Sequence, residues 1–306
     1  MNPVPHPPTP GVPVAVIGAG AIGGLLAAAA QAAGHPVTLC VRTPIPGLEF
    51  TSRGQTRMVP ADIATSPAGL SPFPWALVAT KAQDTASAAP WLERLAGPDT
   101  IVAIPQNGIG HEERVRALAP RSTLLPALVY VAVERVAPGR VVQHSGHRVM
   151  VPRGAAGAAF AELLQGSGLT VEQGAEFHTE AWRKLLTNVA ANPITTLTLR
   201  RVDVFDSPDV DELARALLRE AVAVGRADGA DLGEPDVEAT MDLYHATRKS
   251  SGTSMFYDRL AGRPLEHEYL TGAVVSAARR LGVPAPLNTA ILTLLRALDQ
   301  GPRNGE

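Results

Sequence analysis

The sequence predicts an α/β domain on a mainly parallel sheet, followed by an all-α domain. Three observations carry this. The β-branched run Val14–Ile17 leads through a glycine-rich turn into an apolar helical segment. Strand-length apolar runs then alternate with helical segments as far as Val171-Glu172, the pattern of βαβ units. Beyond a boundary around residues 170–178 only helical periodicity remains.

Composition sets the frame for that reading. At 306 residues the chain suits about two domains and buries enough surface to need no staple. Hydrophobic residues make up 45% and charged residues 18%, as in ordinary globular proteins. The 27 Lys+Arg and 29 Asp+Glu give a net charge of -2, which argues against nucleic acid or a membrane surface as the main partner. Cys40 is the single cysteine, so internal disulfides and multi-cysteine metal sites are excluded, and a reducing, cytoplasmic setting is the default. From Asn2 to Val41 there is no Asp, Glu, Lys or Arg. A hydropathy scan reads such a stretch as a membrane span or signal peptide. No Lys or Arg precedes the run, however, and Gly18, Gly20, Gly23 and Gly24 cut it.

The elements follow in order. Residues 1–11 are proline-rich and read as a disordered tail. Val14–Ile17 is a buried strand, Gly18–Gly23 a turn, and Ala21–Ala33 a helix closed by Gly34. Val37–Val41, Ala76–Thr80 and Thr100–Ile104 read as further strands, with helices at Thr85–Leu95 and Glu112–Leu118. Leu124–Val133 and Val141–Val151 are strands joined by a turn at Pro138-Gly139. Helical periodicity then covers Glu180–Leu199, Asp209–Ala227, Pro235–Lys249, Glu266–Leu281 and Asn288–Leu298. The domains are expected at 12–174 and 175–306.

Gly18-Ala19-Gly20-Ala21-Ile22-Gly23 is G-x-G-x-x-G between a strand and a helix. The first glycine permits the tight turn, the second admits a pyrophosphate, and the third lets helix and strand pack. The helix N-terminus adds free N–H groups. The N-terminal domain is therefore expected to be of Rossmann type; a glycine-rich packing turn is the plainer alternative. The second strand ends in Cys40-Val41-Arg42-Thr43 with no acid before Glu49. NAD sites usually carry an acid there, whereas Arg42 suits a 2′-phosphate, which favours NADP(H). Lys81, in Ala79-Thr80-Lys81-Ala82-Gln83, and Asn107, in Gln106-Asn107-Gly108-Ile109-Gly110, follow later strands, where ligands bind. On spacing alone, Gln-Asn-Gly is equally an ordinary turn.

Lys184, Asn188 and Asn192 fall at i, i+4 and i+8, forming one polar stripe, and Pro193 is expected to stop or kink the helix at Asn192. One ammonium and two amides suit a small oxyacid, and equally suit a polar seam between helices. The stripe, the Lys-Ala-Gln segment, the Gln-Asn-Gly-x-Gly segment and Ser254-Met255…Asp258…Gly262-Arg263…Glu266 resemble the ketopantoate reductase (2-dehydropantoate 2-reductase) family over roughly residues 13–298. The resemblance implies that Lys184 donates the proton to the developing hydroxyl. It implies that Asn188, Asn192 and Ser254 bind substrate and that Glu266 stands at the cofactor–substrate junction. It further implies that Gly18–Gly23, Arg42, Lys81 and Asn107 hold the cofactor, with the site in a cleft between the domains.

The implied activity is NADPH-dependent reduction of ketopantoate to (R)-pantoate, in pantothenate and coenzyme A biosynthesis. A lysine with its ordinary pKa of ~10.4 would already be protonated at neutral pH. The chain departs from the family pattern at Ser251, Tyr257 and Thr271. Those departures motivate two alternatives: a reductase of another small-molecule 2-keto acid, or a non-catalytic NADP(H)-binding redox sensor. His144 and His147 lack a nearby third ligand, so no metal is expected. A homodimer follows from the base rate of two-fold assemblies.

Overall fold

The computed structural model describes residues 11–299. The tail expected at 1–11 lies outside them except for Gly11. The described residues pack as two units. One takes in the chain to Gln106 and Gly110–Ala175; the other takes in Asn107–Ile109 and the chain from Glu176.

The first unit begins with strand β1 (Val14–Ile17), helix α1 (Ala21–Ala32) and β2 (Val37–Cys40). It continues through β3 (Leu48–Ser52), β4 (Gln55–Val59), β5 (Asp62–Ala64), β6 (Trp75–Val78) and α2 (Ala89–Leu95). Next come β7 (Ile101–Ile104), α3 (His111–Arg116) and β8 (Thr123–Pro126). The unit closes with β9 (Leu128–Ala137), β10 (Arg140–Pro152), α4 (Ala155–Leu163) and β11 (Thr170–Gly174). The apolar run that a hydropathy scan would single out is thus a strand, a glycine turn and a 12-residue helix. No helix of the described residues is long and apolar enough to cross a membrane.

Six strands form an all-parallel sheet in the order β5-β2-β1-β6-β7-β8. Counted within this sheet the order is 3-2-1-4-5-6, the doubly wound arrangement whose order reverses between β1 and β6. The central strands are buried on both faces, and β1 and β6 read as unbroken apolar runs. A second, mixed sheet runs beside it and departs from the single mainly parallel sheet expected. The long β10 pairs antiparallel with β9 along one edge and parallel with β3 and β11 along the other. β3 turns back on β4 through Arg53-Gly54, both at positive φ. Strands β3–β5 come from a segment whose residue pattern predicts no element. Helix α1 packs against both sheets: a Cβ at Gly24 would sit 2.6 Å from Val141 Cγ2 and 3.3 Å from Leu48 Cδ1.

The second unit is helical: α5 (Phe177–Val189), α6 (Ala191–Thr198), α7 (Pro208–Ala227) and α8 (Glu234–Ala246), then α9 (Ser254–Leu260), α10 (Thr271–Leu281) and α11 (Pro286–Asp299). The chain does break near Pro193, but at Ala190 rather than Asn192. A proline ring clashes with the carbonyl four residues back and cannot donate to it. The cost therefore falls on the turn before the ring, and Pro193 itself sits in the first turn of α6. The buried Tyr244 hydroxyl mends the gap: it accepts from the Ala191 amide (3.3 Å) and lies 3.1 Å from the Leu186 carbonyl. Helix α9 is an addition to the elements read from the sequence. Thr253 caps it, its Oγ1 accepting from the Phe256 amide.

The cores follow from these placements. Phe160 of α4 is fully buried and meets the Trp75 ring at 5.6 Å between centroids. Trp182 of α5 is likewise fully buried, with its Nε1 donating to Asp228 at 3.0 Å. Truncating Phe160 leaves a cavity that the surrounding strands cannot collapse into. Phe160→Ala is expected to destabilise the fold by about 3–5 kcal/mol, read as a lower urea midpoint with little change in slope.

Candidate active site

In the parallel sheet, the chain leaves β1, β2 and β6 at the same carboxyl edge, around the reversal point where open α/β sheets bind ligands. β1 runs into Gly18, β2 into Val41-Arg42, and β6 into Ala79-Thr80-Lys81. The three glycines of the turn have separate reasons to be glycine. Gly18 has φ +100, and a Cβ there would press on the Ala79–Thr80 backbone at 3.1 Å. A Cβ at Gly23 would overlap the Gly18 carbonyl. At Gly20 nothing lies within 4 Å of the Cβ position. That open space adjoins the N-terminus of α1, beside half-buried Ala19, Ala21 and Ile22. Such a cradle fits a dinucleotide pyrophosphate: close backbone approach, unspent amides and a favourable helix end. Arg42 is exposed just past β2. Lys81 is half-buried, immediately before the short helical turn Ala82–Ala88.

Gln106 is a residue to which the sequence pattern assigns no role. It is buried, and its Nε2 donates to the Thr80 carbonyl at 3.1 Å and to Thr85 Oγ1 at 2.9 Å. Its carbonyl lies 2.9 Å from His111 Nε2. The loops after β6 and β7 are thereby tied together. A polar residue just past a fully apolar strand, after Pro105, was the available signal.

The second unit gathers the remaining candidates. Lys184 Nζ donates to Asn107 Oδ1 at 3.2 Å. Asn107 thus packs with the helical residues, and not in the N-terminal unit together with the glycine turn as its sequence position suggests. Asn188 Nδ2 donates to the Lys184 carbonyl at 3.2 Å, and Asn192 Nδ2 donates to Asn188 Oδ1 at 2.8 Å. Asn192 Oδ1 in turn accepts from the Met255 amide at 3.3 Å and from Ser254 Oγ at 3.4 Å. The stripe survives the break at Ala190 because this side-chain ladder spans it. Asn192 is buried, Lys184 and Asn188 are half-buried, and Ser254 is exposed.

Glu266, buried just before the short turn His267–Tyr269, acts on Lys184 electrostatically. Desolvation lowers the Lys184 pKa to about 8, and the Glu266 carboxylate opposes that shift. The ordinary value near 10.4 expected from the sequence is therefore replaced by one close to neutrality, where a group can both hold and release a proton.

The departures from the family pattern fall close by. Ser251 lies on the loop before α9, Tyr257 lies on α9, and Thr271 is fully buried at the start of α10. His144 pairs with Glu134 at 3.1 Å. Among the described residues no three His, Cys, Asp or Glu side chains gather as metal ligands.

Comparison with known proteins bears on the whole chain. The family described as ketopantoate reductase PanE/ApbA matches residues 14–173, and its C-terminal counterpart matches residues 176–299. A 2-dehydropantoate 2-reductase of Caulobacter vibrioides is 40% identical, covering 93% of this chain and 98% of its own length. One from Mycobacterium tuberculosis is 38% identical over 94% of this chain and 98% of its own. The solved dimeric ketopantoate reductase from Staphylococcus aureus superimposes with a TM-score of 0.85 at 26% identity, covering 94% of this chain and 99% of that one. By the match of both parts and by these relatives, the chain belongs to the ketopantoate reductase PanE/ApbA family.

Proposed function

We propose that the protein is an NADPH-dependent 2-dehydropantoate 2-reductase, converting ketopantoate to (R)-pantoate in pantothenate and coenzyme A biosynthesis. The observation that carries this reading is the desolvated Lys184 ammonium, 3.2 Å from Asn107 Oδ1 and offset by the Glu266 carboxylate, at one end of the Asn188–Asn192–Ser254 ladder. The relatives named 2-dehydropantoate 2-reductase supply the substrate. The turn Gly18–Gly23 and Arg42 fit the cofactor, with Lys81 and Asn107 as further contacts. The assembly proposed is a homodimer, the state given for the S. aureus neighbour, and the compartment is the cytoplasm.

When bound, the nicotinamide supplies a hydride to the keto carbon. The protein's own work is to hold the substrate and manage one proton. Asn188, Asn192 and Ser254 present neutral hydrogen-bonding groups, which position an oxyacid without competing with Lys184 for its charge. The carbonyl oxygen becomes an alkoxide only as the reaction proceeds, so an ammonium beside it stabilises the transition state more than the ground state. Lys184 then gives up its proton to that oxygen. Glu266 favours the charged form of Lys184 beforehand, against the cost of desolvation.

The direct test is NADPH consumption with ketopantoate and a panel of other 2-keto acids. Turnover of ketopantoate supports the assignment, turnover of another 2-keto acid alone renames the substrate, and turnover of none removes it. Lys184→Ala is expected to cut kcat by ~10²–10⁴-fold while the folded protein still binds NADPH. Lys184→Arg retains charge but not a transferable proton, and stays impaired. A Lys184→Ala enzyme with near-full turnover would make the ladder a structural seam.

The lowered lysine pKa sets the sign of the pH dependence. Reduction needs the protonated amine, so kcat/KM for reduction should hold level below pH about 8 and fall above it. Oxidation of pantoate needs the neutral amine and should rise through the same value. A reduction profile flat to pH ~10, the region of an ordinary lysine, contradicts the assignment. Arg42→Asp is expected to weaken NADPH binding by about 10–100-fold, the worth of charge-assisted hydrogen bonds, with NADH binding little changed; titration of both cofactors reads the difference.

A further inference from the structure

The loop Ser250–Thr253, which delivers Ser254 to Asn192, is held by contacts that the reaction itself does not account for. Arg201 and Tyr257 supply two of them. Arg201 Nη1 donates to the Ser250 carbonyl at 2.8 Å and to the Tyr257 hydroxyl at 3.2 Å. The same hydroxyl accepts from the Gly252 amide at 3.1 Å. The Arg201 guanidinium also lies 5.5 Å from the centre of the Phe256 ring and 6.0 Å from that of Tyr257, within cation–π range.

The next residue continues the grip, the Val202 amide donating to the Ser251 carbonyl at 3.0 Å. Gly252 has no room for a side chain. A Cβ there would overlap Phe256, and it would lie 3.0 Å from Tyr257 Cζ. At the far end Thr253 Oγ1 pairs with Thr195 Oγ1 at 2.8 Å, back on α6. Each loop residue is thus fixed from outside the loop, and Ser254 emerges with its Oγ 3.4 Å from Asn192 Oδ1.

We infer that Arg201 and Tyr257 form a clamp that positions the Ser250–Ser254 backbone for substrate, making both of them specificity-determining positioning residues. This inference rests on the reductase reading above. Tyr257 is also a place where the chain departs from the family pattern, and the clamp gives that departure a use. The Phe256 ring closes over Gly252 with the Tyr257 ring beside it, and the Tyr257 phenol oxygen receives both the amide and the guanidinium. The clamp's contacts are with the loop and with α9, so it should act on substrate binding and leave proton transfer unaltered.

The test uses the full-length enzyme and two variants, Tyr257→Phe and Arg201→Ala, assayed with ketopantoate and with NADPH. Tyr257→Phe keeps the ring and loses only the two hydroxyl contacts. It is expected to raise the KM for ketopantoate about tenfold, as losing one or two hydrogen bonds does, with kcat within about twofold and the KM for NADPH unchanged. Hydrogen exchange at the Gly252 amide should quicken at least tenfold in the same variant. Arg201→Ala should reproduce the KM effect, and Arg201→Lys should recover part of it.

An unchanged ketopantoate KM in both active variants overturns the clamp while leaving the reductase reading intact. So does a loss confined to kcat and thermal stability. A wild-type enzyme that turns over no 2-keto acid removes the reductase reading, and the clamp's assigned role goes with it.

Discussion

A lysine ammonium taken out of water must be compensated, and in the helical unit that requirement organises the residues around it. Desolvation pulls the Lys184 pKa down to about 8, with the Glu266 carboxylate pulling the other way. Asn107 Oδ1 accepts directly from the ammonium. A neutral amide acceptor satisfies the donor without adding a second negative charge that would raise the lysine pKa again. The same economy explains the ladder. Asn188 and Asn192 satisfy one another and the backbone, so polar groups are buried with partners and without added charge.

The ladder depends in turn on a broken helix. Pro193 prevents α5 and α6 from being one helix, and the Tyr244 hydroxyl takes up the Ala191 amide that the break leaves over. Tyr244 is buried and stacks on Phe205 at 4.8 Å, so the repair is rigid. Asn192 is thereby turned toward the start of α9, where its oxygen meets the Met255 amide and Ser254. The contact with Ser254 and the helix geometry are coupled through one side chain.

In the other unit the constraint is topological. The reversal of strand order between β1 and β6 opens a crevice at the carboxyl edge, and the first glycine turn lies in it. Gly18 and Gly23 are glycines because backbone atoms occupy their Cβ positions, whereas Gly20 faces open space. The contrast separates the residues that build the turn from the one that leaves room for a ligand. Gln106 then fixes the neighbouring loops to each other, a role decided by burial alone.

Much of this was legible in the residues. The parallel sheet, the glycine turn, Arg42 past the second strand and the Lys184–Asn188–Asn192 spacing all follow from local periodicity and motif, because buried parallel strands and helix faces impose repeating patterns on the chain. The second sheet did not show itself as a separate sheet. Its strands β3 and β4 are short, and β4 is exposed along most of its length, so no apolar alternation marks them. Helix α9 has only seven residues and depends on its Thr253 cap and its packing. Sequence alone therefore determined the fold class, the family resemblance and the candidate chemistry. Only the tertiary structure decided that Asn107 packs with Lys184, that the lysine pKa falls to about 8, that the helix breaks at Ala190 and that Tyr257 reaches Gly252. Each of these depends on desolvation or on contacts between residues far apart in the chain, which a linear pattern does not encode.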